Sequence, residues 1–180
     1  MSEGYVEIKP KFLREQDKQE LANTFGIELR ALKAVLKVES AGSGFSKDGK
    51  IKIQFEPYHF RKYTGIRISN GVEHQRAEYD AYFQAQYKDE KSAMLSTSWG
   101  LGQVMGFNHK AAGYLTVQEM VSTFNSSEYY QLEGMLNFIR YNRKLYQALK
   151  DKDWPTFAYY YNGKYYKKWN YDEKLIKAYG

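Results

Sequence analysis

Leu29-Arg30-Ala31-Leu32-Lys33-Ala34-Val35-Leu36-Lys37-Val38-Glu39-Ser40 is the stretch whose reading decides the fold. Leu29, Leu32, Val35 and Leu36 recur at the three-and-four spacing of a helix with one buried face. Glu39 stands three residues after Leu36 and four after Val35, so a carboxylate closes the apolar stripe. Ala41-Gly42-Ser43-Gly44 then breaks the helix. Beyond the break, Lys47-Asp48-Gly49-Lys50 is turn chemistry. Ile51, Ile53 and Phe55 alternate with Lys52, Gln54 and Glu56, which predicts a strand with one apolar face.

Working outward, the remaining signals are helical. Leu13 to Phe25 reads as a polar first helix stopped by Gly26. Pro57 opens a short helix that ends near Gly65, and Glu78 to Gln86 and Asp89 to Leu95 follow as two more. Ser96 to Gln103 reads as a small-residue loop. Thr116-Val117-Gln118-Glu119 matches a capping box and predicts a helix to Phe124. Ser127 to Leu149 reads as the longest helix, on the stripe Leu132, Met135, Leu136, Ile139, Leu145 and Leu149. Trp154-Pro155 starts another, closed by Asn162-Gly163, and Tyr171 to Tyr179 is the last. The expected fold class is α+β, mostly helical, with one small β-hairpin. Residues 1–11 are expected to be a tail, and 12–180 a single domain.

Composition removes whole classes of function. The 180 residues hold 27 Lys+Arg against 21 Asp+Glu, a formal charge of +6, and no Cys. Disulfides, thiol nucleophiles, Cys-bound zinc and iron–sulfur clusters are therefore excluded. His59, His74 and His109 stand in no metal-binding frame, so no metal and no cofactor is expected. No apolar run reaches the length of a membrane span. Met1-Ser2-Glu3-Gly4-Tyr5 lacks the profile of a signal peptide. The positive charge fits nucleic acid, an anionic wall or a membrane surface equally.

Four features could carry chemistry, and each has a plain structural alternative. Glu39 is either a carboxylate that turns out to solvent or a buried one. If buried, desolvation and the negative helix end both favour its neutral form, which suits a general acid. Glu56 is either an exposed strand residue paired with Lys52 or a second carboxylate across a cleft from Glu39. Two carboxylates flanking one bond are what glycoside hydrolysis requires. Ser98-Trp99-Gly100-Leu101-Gly102-Gln103 is either a simple turn or a loop whose backbone approaches a ligand closely. Tyr159-Tyr160-Tyr161-Asn162-Gly163 is either core or a surface for stacking on sugars. A polyanion-binding module without chemistry is the alternative of a different class. Against it, the lysines are dispersed and no aromatic RNA-binding box occurs.

Glu39-Ser40, Gly100-Leu101-Gly102-Gln103 and Tyr161-Asn162-Gly163 occur in the order found in the lysozyme superfamily, including goose-type lysozymes and soluble lytic transglycosylases. Lys37 to Phe45, Phe55-Glu56 to His59-Phe60 and Ser96 to Gly106 more closely resemble the phage-type N-acetylmuramidases, over roughly Asp17 to Tyr179. Gly102 stands where soluble transglycosylases usually carry Met. The resemblance implies a lysozyme-like domain that cleaves the β-1,4 bond after N-acetylmuramic acid in peptidoglycan. Its catalytic acid falls on Glu39, and Glu56 matches a recurrent glutamate. Ser40, Ser98, Gly100, Leu101, Gln103, Tyr161 and Asn162 fall on its substrate cleft. Glycan strands are the implied partner, with no nucleic acid, no membrane anchor and a monomer expected. An endolysin of this kind would wait in the host cytoplasm and be released onto the wall. The Glu-Ser and Tyr-Asn motifs serve lytic transglycosylases as well as hydrolases, so both chemistries stay open.

Overall fold

A computed structural model describes residues 8–40, 42–70 and 74–180. Ala41 of the helix break and the Met1-Ser2-Glu3-Gly4-Tyr5 segment lie outside the described residues. The chain begins with α1 (Glu15–Thr24) and α2 (Leu29–Glu39). Leu32 and Val35 of α2 are fully buried, as their spacing predicts. The helix is packed between α1 and α10 (Tyr171–Tyr179). Its last residue, Glu39, is thereby carried into the body of the protein rather than out to solvent.

The turn after α2 is local and forms as expected. Ser46 N–H donates to the Lys50 carbonyl at 2.8 Å, and Phe45 bridges Ile51. The ladder partner of β1 (Ile53–Phe55), however, is β2 (Thr97–Trp99), which lies inside the segment read as a loop. Ile53 faces Trp99 and Phe55 faces Thr97, antiparallel. β3 (Val104–Met105) then pairs with β2, which completes a three-stranded sheet. Every residue of β2 is buried, so no alternation marks it as a strand.

The outer edge of β1 is closed by side chains. They come from α4 (Gln75–Lys88), which follows α3 (Pro57–Thr64). Gln75 pairs with both backbone groups of Ile53, at 3.0 and 2.7 Å. Glu78 accepts from Phe55 N–H at 2.7 Å, and Tyr79 donates to the Ile51 carbonyl at 2.7 Å. These bonds satisfy backbone groups that would otherwise be an open template for another strand.

The remaining helices are α5 (Glu90–Leu95), α6 (Val117–Ser126), α7 (Glu128–Tyr141), α8 (Arg143–Asp151) and α9 (Trp154–Asn162). The single long helix expected over 127–149 is two helices. Asn142 is extended, and its side-chain oxygen accepts from Lys144 N–H and Leu145 N–H at 3.1 and 3.2 Å. The stripe itself carries the break, because Ile139 to Leu145 is six residues and falls off the helical spacing. Asn142→Ala should cost about 1 kcal/mol through the lost cap. An unchanged urea midpoint would show that the break rests on packing alone.

The described end of the expected tail is held to the body. Ser127 Oγ donates to the Pro10 carbonyl, and Glu128 N–H to that of Lys11. No described helix is long and apolar enough to cross a membrane.

Candidate active site

Glu39 ends α2 with its carboxyl enclosed. Oε2 accepts from Asn162 Nδ2 at 2.9 Å. Oε1 is buried and has no hydrogen-bond partner among the described residues. Desolvation pushes the carboxyl up to about 6, against smaller downward pulls from Asn162 and the Lys174 ammonium. Ser40 next to it spends its hydroxyl on the helix end, donating to the Leu36 carbonyl.

Asn162 reaches Glu39, and Tyr161 the glycine loop, because of how α9 starts and stops. Asp153 caps its first turn, accepting from Thr156 N–H at 3.2 Å, and Gly163 at φ 90° ends it. The Tyr161 ring stacks on Phe157 at 5.3 Å between centroids. Its hydroxyl donates to the Gly102 carbonyl at 3.1 Å. Burial, and next the Glu39 carboxylate, push the phenol well above its usual range. Tyr161 is therefore a fixed hydroxyl donor.

The loop that Tyr161 holds is strained and internally bonded. Gly100 and Gln103 both have positive φ, 71° and 47°. A non-glycine residue in that region costs of order 1–3 kcal/mol. Gln103 is held there by its own side chain. It donates to the carbonyls of Gly100 and Lys52, at 2.9 and 3.3 Å, and accepts from Ser98 Oγ at 2.9 Å. Leu101 is buried and donates its N–H to Gln131 Oε1 at 2.8 Å.

The structure thus links Glu39, Asn162, Tyr161, the Gly100–Gln103 loop and Ser98 in one continuous chain of contacts. Glu56 is not part of that chain. It precedes α3, where its N–H donates to the Ser96 carbonyl at 2.9 Å. Ser98, a member of that chain, pairs with Gln54, two residues before Glu56. The Glu56 carboxylate has no hydrogen bond among the described residues. Burial raises its pKa, His59 opposes this and Glu78 adds to it. Among the described residues Glu39 and Glu56 share no hydrogen-bond partner.

Two cavities border the loop. One of about 300 Å³ is lined by Lys52, Gln54, Gly100, Leu101 and Gln103 among others. The other, of about 440 Å³, is lined by Lys37, Ser40, Gly42, Leu101 and Glu128 among others.

Two supporting residues escaped the sequence reading. Glu128 is buried and accepts from Leu13 N–H, Ser43 Oγ and Gly44 N–H, at 2.8, 2.7 and 2.8 Å. Gln131 is fully buried between Leu101 N–H and the Phe124 carbonyl. Together they clamp the segment after Glu39 to the glycine loop. Their signal was present, since both extend the Leu132–Met135 stripe with polar residues, as Glu39 extends the stripe of α2. Among the described residues no cluster of three or more His, Asp or Glu could hold a metal.

Comparison with known proteins agrees with this geometry. The N-acetylmuramidase family model matches residues 28–180. The crystal structure of the Burkholderia AP3 phage endolysin is similar, with a TM-score of 0.87 and 32% identity. The match covers 98% of this chain and 73% of that one. No curated protein matches. The fold is lysozyme-like, as the motif order implied. A mostly helical body, a buried carboxyl at a helix end and a family match over nearly the whole chain converge: this chain belongs to the N-acetylmuramidase family of glycoside hydrolases.

Proposed function

We propose that this muramidase cleaves the β-1,4 bond between N-acetylmuramic acid and N-acetylglucosamine, with Glu39 as the general acid. The observation that carries the reading is the Glu39 carboxyl itself. It is desolvated, has one oxygen without a partner, and holds its proton up to about 6. A carboxyl in that state protonates the glycosidic oxygen as the bond breaks, and an oxocarbenium-like sugar develops. Tyr161, Asn162 and the Ser98–Gln103 loop line the same locus and would hold the sugars beside it, with Ser40 behind them. Likeness to a phage endolysin supports the same role here, with release from the host cytoplasm onto the wall.

Glu56 is the second carboxylate of the proposal. Its raised pKa and lack of a hydrogen bond leave it available to an attacking water or a sugar hydroxyl. The charges that act on it are His59 and Glu78 rather than Glu39, which favours one further reading. Without a carboxylate beside Glu39, the 6-hydroxyl of the muramic acid residue could itself attack, which yields an anhydro end. Mass spectrometry of digested peptidoglycan separates the two. Hydrolysis gives reducing muramic acid ends, and that is the expected product. Fragments lighter by one water would overturn hydrolysis in favour of transglycosylation. A turbidity that never falls would overturn both, and would leave a wall- or polyanion-binding protein.

A further inference from the structure

Two buried acceptors in the site lack a donor among the described residues, and they belong to one hydrogen-bonded pair. They are Oε1 of Glu39 and Oδ1 of Asn162. A buried acceptor left unsatisfied costs free energy, and such groups call for an explanation. We propose that Asn162 is a positioning residue whose N–H occupies Oε2 of Glu39, so that the acid's transferable proton sits on Oε1, while its own Oδ1 waits for a donor on the bound sugar. The proposal rests on the reading of Glu39 as the acid.

The chemistry follows from the two oxygens of a neutral carboxyl. The carbonyl oxygen is the better acceptor, and the hydroxyl oxygen carries the proton. Asn162 Nδ2, 2.9 Å from Oε2, selects Oε2 as the carbonyl. Oε1 is then the hydroxyl and the only oxygen free to give its proton away. An N-acetylated sugar carries hydroxyls and an acetamido N–H, any of which can satisfy Oδ1. Substrate binding would thus complete the amide's hydrogen bonding without disturbing the one that orders the acid.

The charged surroundings of Glu39 are few. Lys174 of α10 lowers its pKa, and Tyr161 of α9 is a neutral phenol. Lys37 shares the last turn of α2. In the first turn of α1, Glu15 is paired with Lys18 and Lys33, and Asp17 with Arg14. Asn162 is the one hydrogen-bond donor that reaches the carboxyl among the described residues.

The test is the pH dependence of kcat/KM on soluble glycan fragments, for Asn162→Ala and Asn162→Asp. The acid works protonated, so the rate falls as pH rises through its pKa. Loss of the N–H removes a bond that favours the charged form, so in both variants the falling limb should move up by about one pH unit. Asn162→Asp keeps an acceptor at Oδ1, and its KM should stay near that of the unchanged protein. Asn162→Ala loses the acceptor too, and its KM should rise roughly tenfold. A falling limb that stays in place or moves down, in variants with native near-ultraviolet circular dichroism, overturns the positioning role. Equal KM values in the two variants overturn the role of Oδ1. If neither variant folds, the Asn162 side-chain amide resonances of the unchanged protein decide. They should titrate with the falling limb, and flat resonances overturn the proposal. Failure of the underlying reading looks different, since Glu39→Gln would then remain active.

Discussion

Glu39→Gln should lower the rate of peptidoglycan lysis by about a thousandfold while leaving the fold intact. Gln keeps the shape of the side chain and an oxygen that can accept from Asn162 Nδ2, now at 2.9 Å from Oε2. It cannot donate a proton to a leaving oxygen. The thermal melting curve should therefore superimpose on that of the unchanged protein. The pH profile of the unchanged protein checks the same group independently. Burial pushes the Glu39 carboxyl up from its ordinary 4.5 to about 6. Activity that depends on the neutral acid must then persist to about 6 and fall above it. A falling limb near 4.5 would mean a solvated Glu39, and near-normal lysis by Glu39→Gln would remove it from the chemistry altogether.

Gly100→Ala should cost about 3–5 kcal/mol of stability, from two separable sources. The first is the backbone. Gly100 has φ 71°, a conformation that strains an L side chain. The second is space. An added Cβ would lie 2.6, 2.7 and 2.9 Å from three atoms of the Gln131 side chain. That side chain cannot yield freely, because it is fully buried and bonded at both ends, to Leu101 N–H and the Phe124 carbonyl. A double-mutant cycle with Gln131→Ala separates the sources in urea unfolding. Truncating Gln131 removes the clash and keeps the strain, so the pair should be less destabilised than the sum of the single changes. Strict additivity would show that the clash is absorbed elsewhere and that the clamp is slack. Lysis should fall along with stability, because the same loop carries Gly102, the partner of Tyr161.

Much of this was legible in the sequence wherever the signal was local. The stripe of α2 and its terminal carboxylate, the turn after it and the alternation of 51–56 all follow from spacings of a few residues. So does the stop of α9 at Asn162-Gly163. The long helix over 127–149 failed for a local reason, since Asn142 as a cap outweighed a stripe that was already out of phase. β2 failed for a different one. A strand buried on both faces has no alternation, and its partner lies 44 residues away, from Gln54 to Ser98. Gln103, which the resemblance puts on the substrate cleft, has its side chain bonded to Gly100, Lys52 and Ser98, and no local pattern announces those bonds.

By itself the sequence determined which residues could act: a carboxylate on a buried helix face, a glycine loop and a Tyr-Asn helix end, in the order found in the lysozyme superfamily. Periodicity settles such matters because neighbours three or four apart on a helix, or two apart on a strand, must share a face. Only the tertiary structure decided which of them come together. It joined Asn162 to Glu39 across 123 residues and Tyr161 to Gly102 across 59, and set Glu56 near His59 and Glu78. The reason is that burial and hydrogen bonding between distant segments depend on how the whole chain packs. Those two effects together set how strongly Glu39 holds a proton.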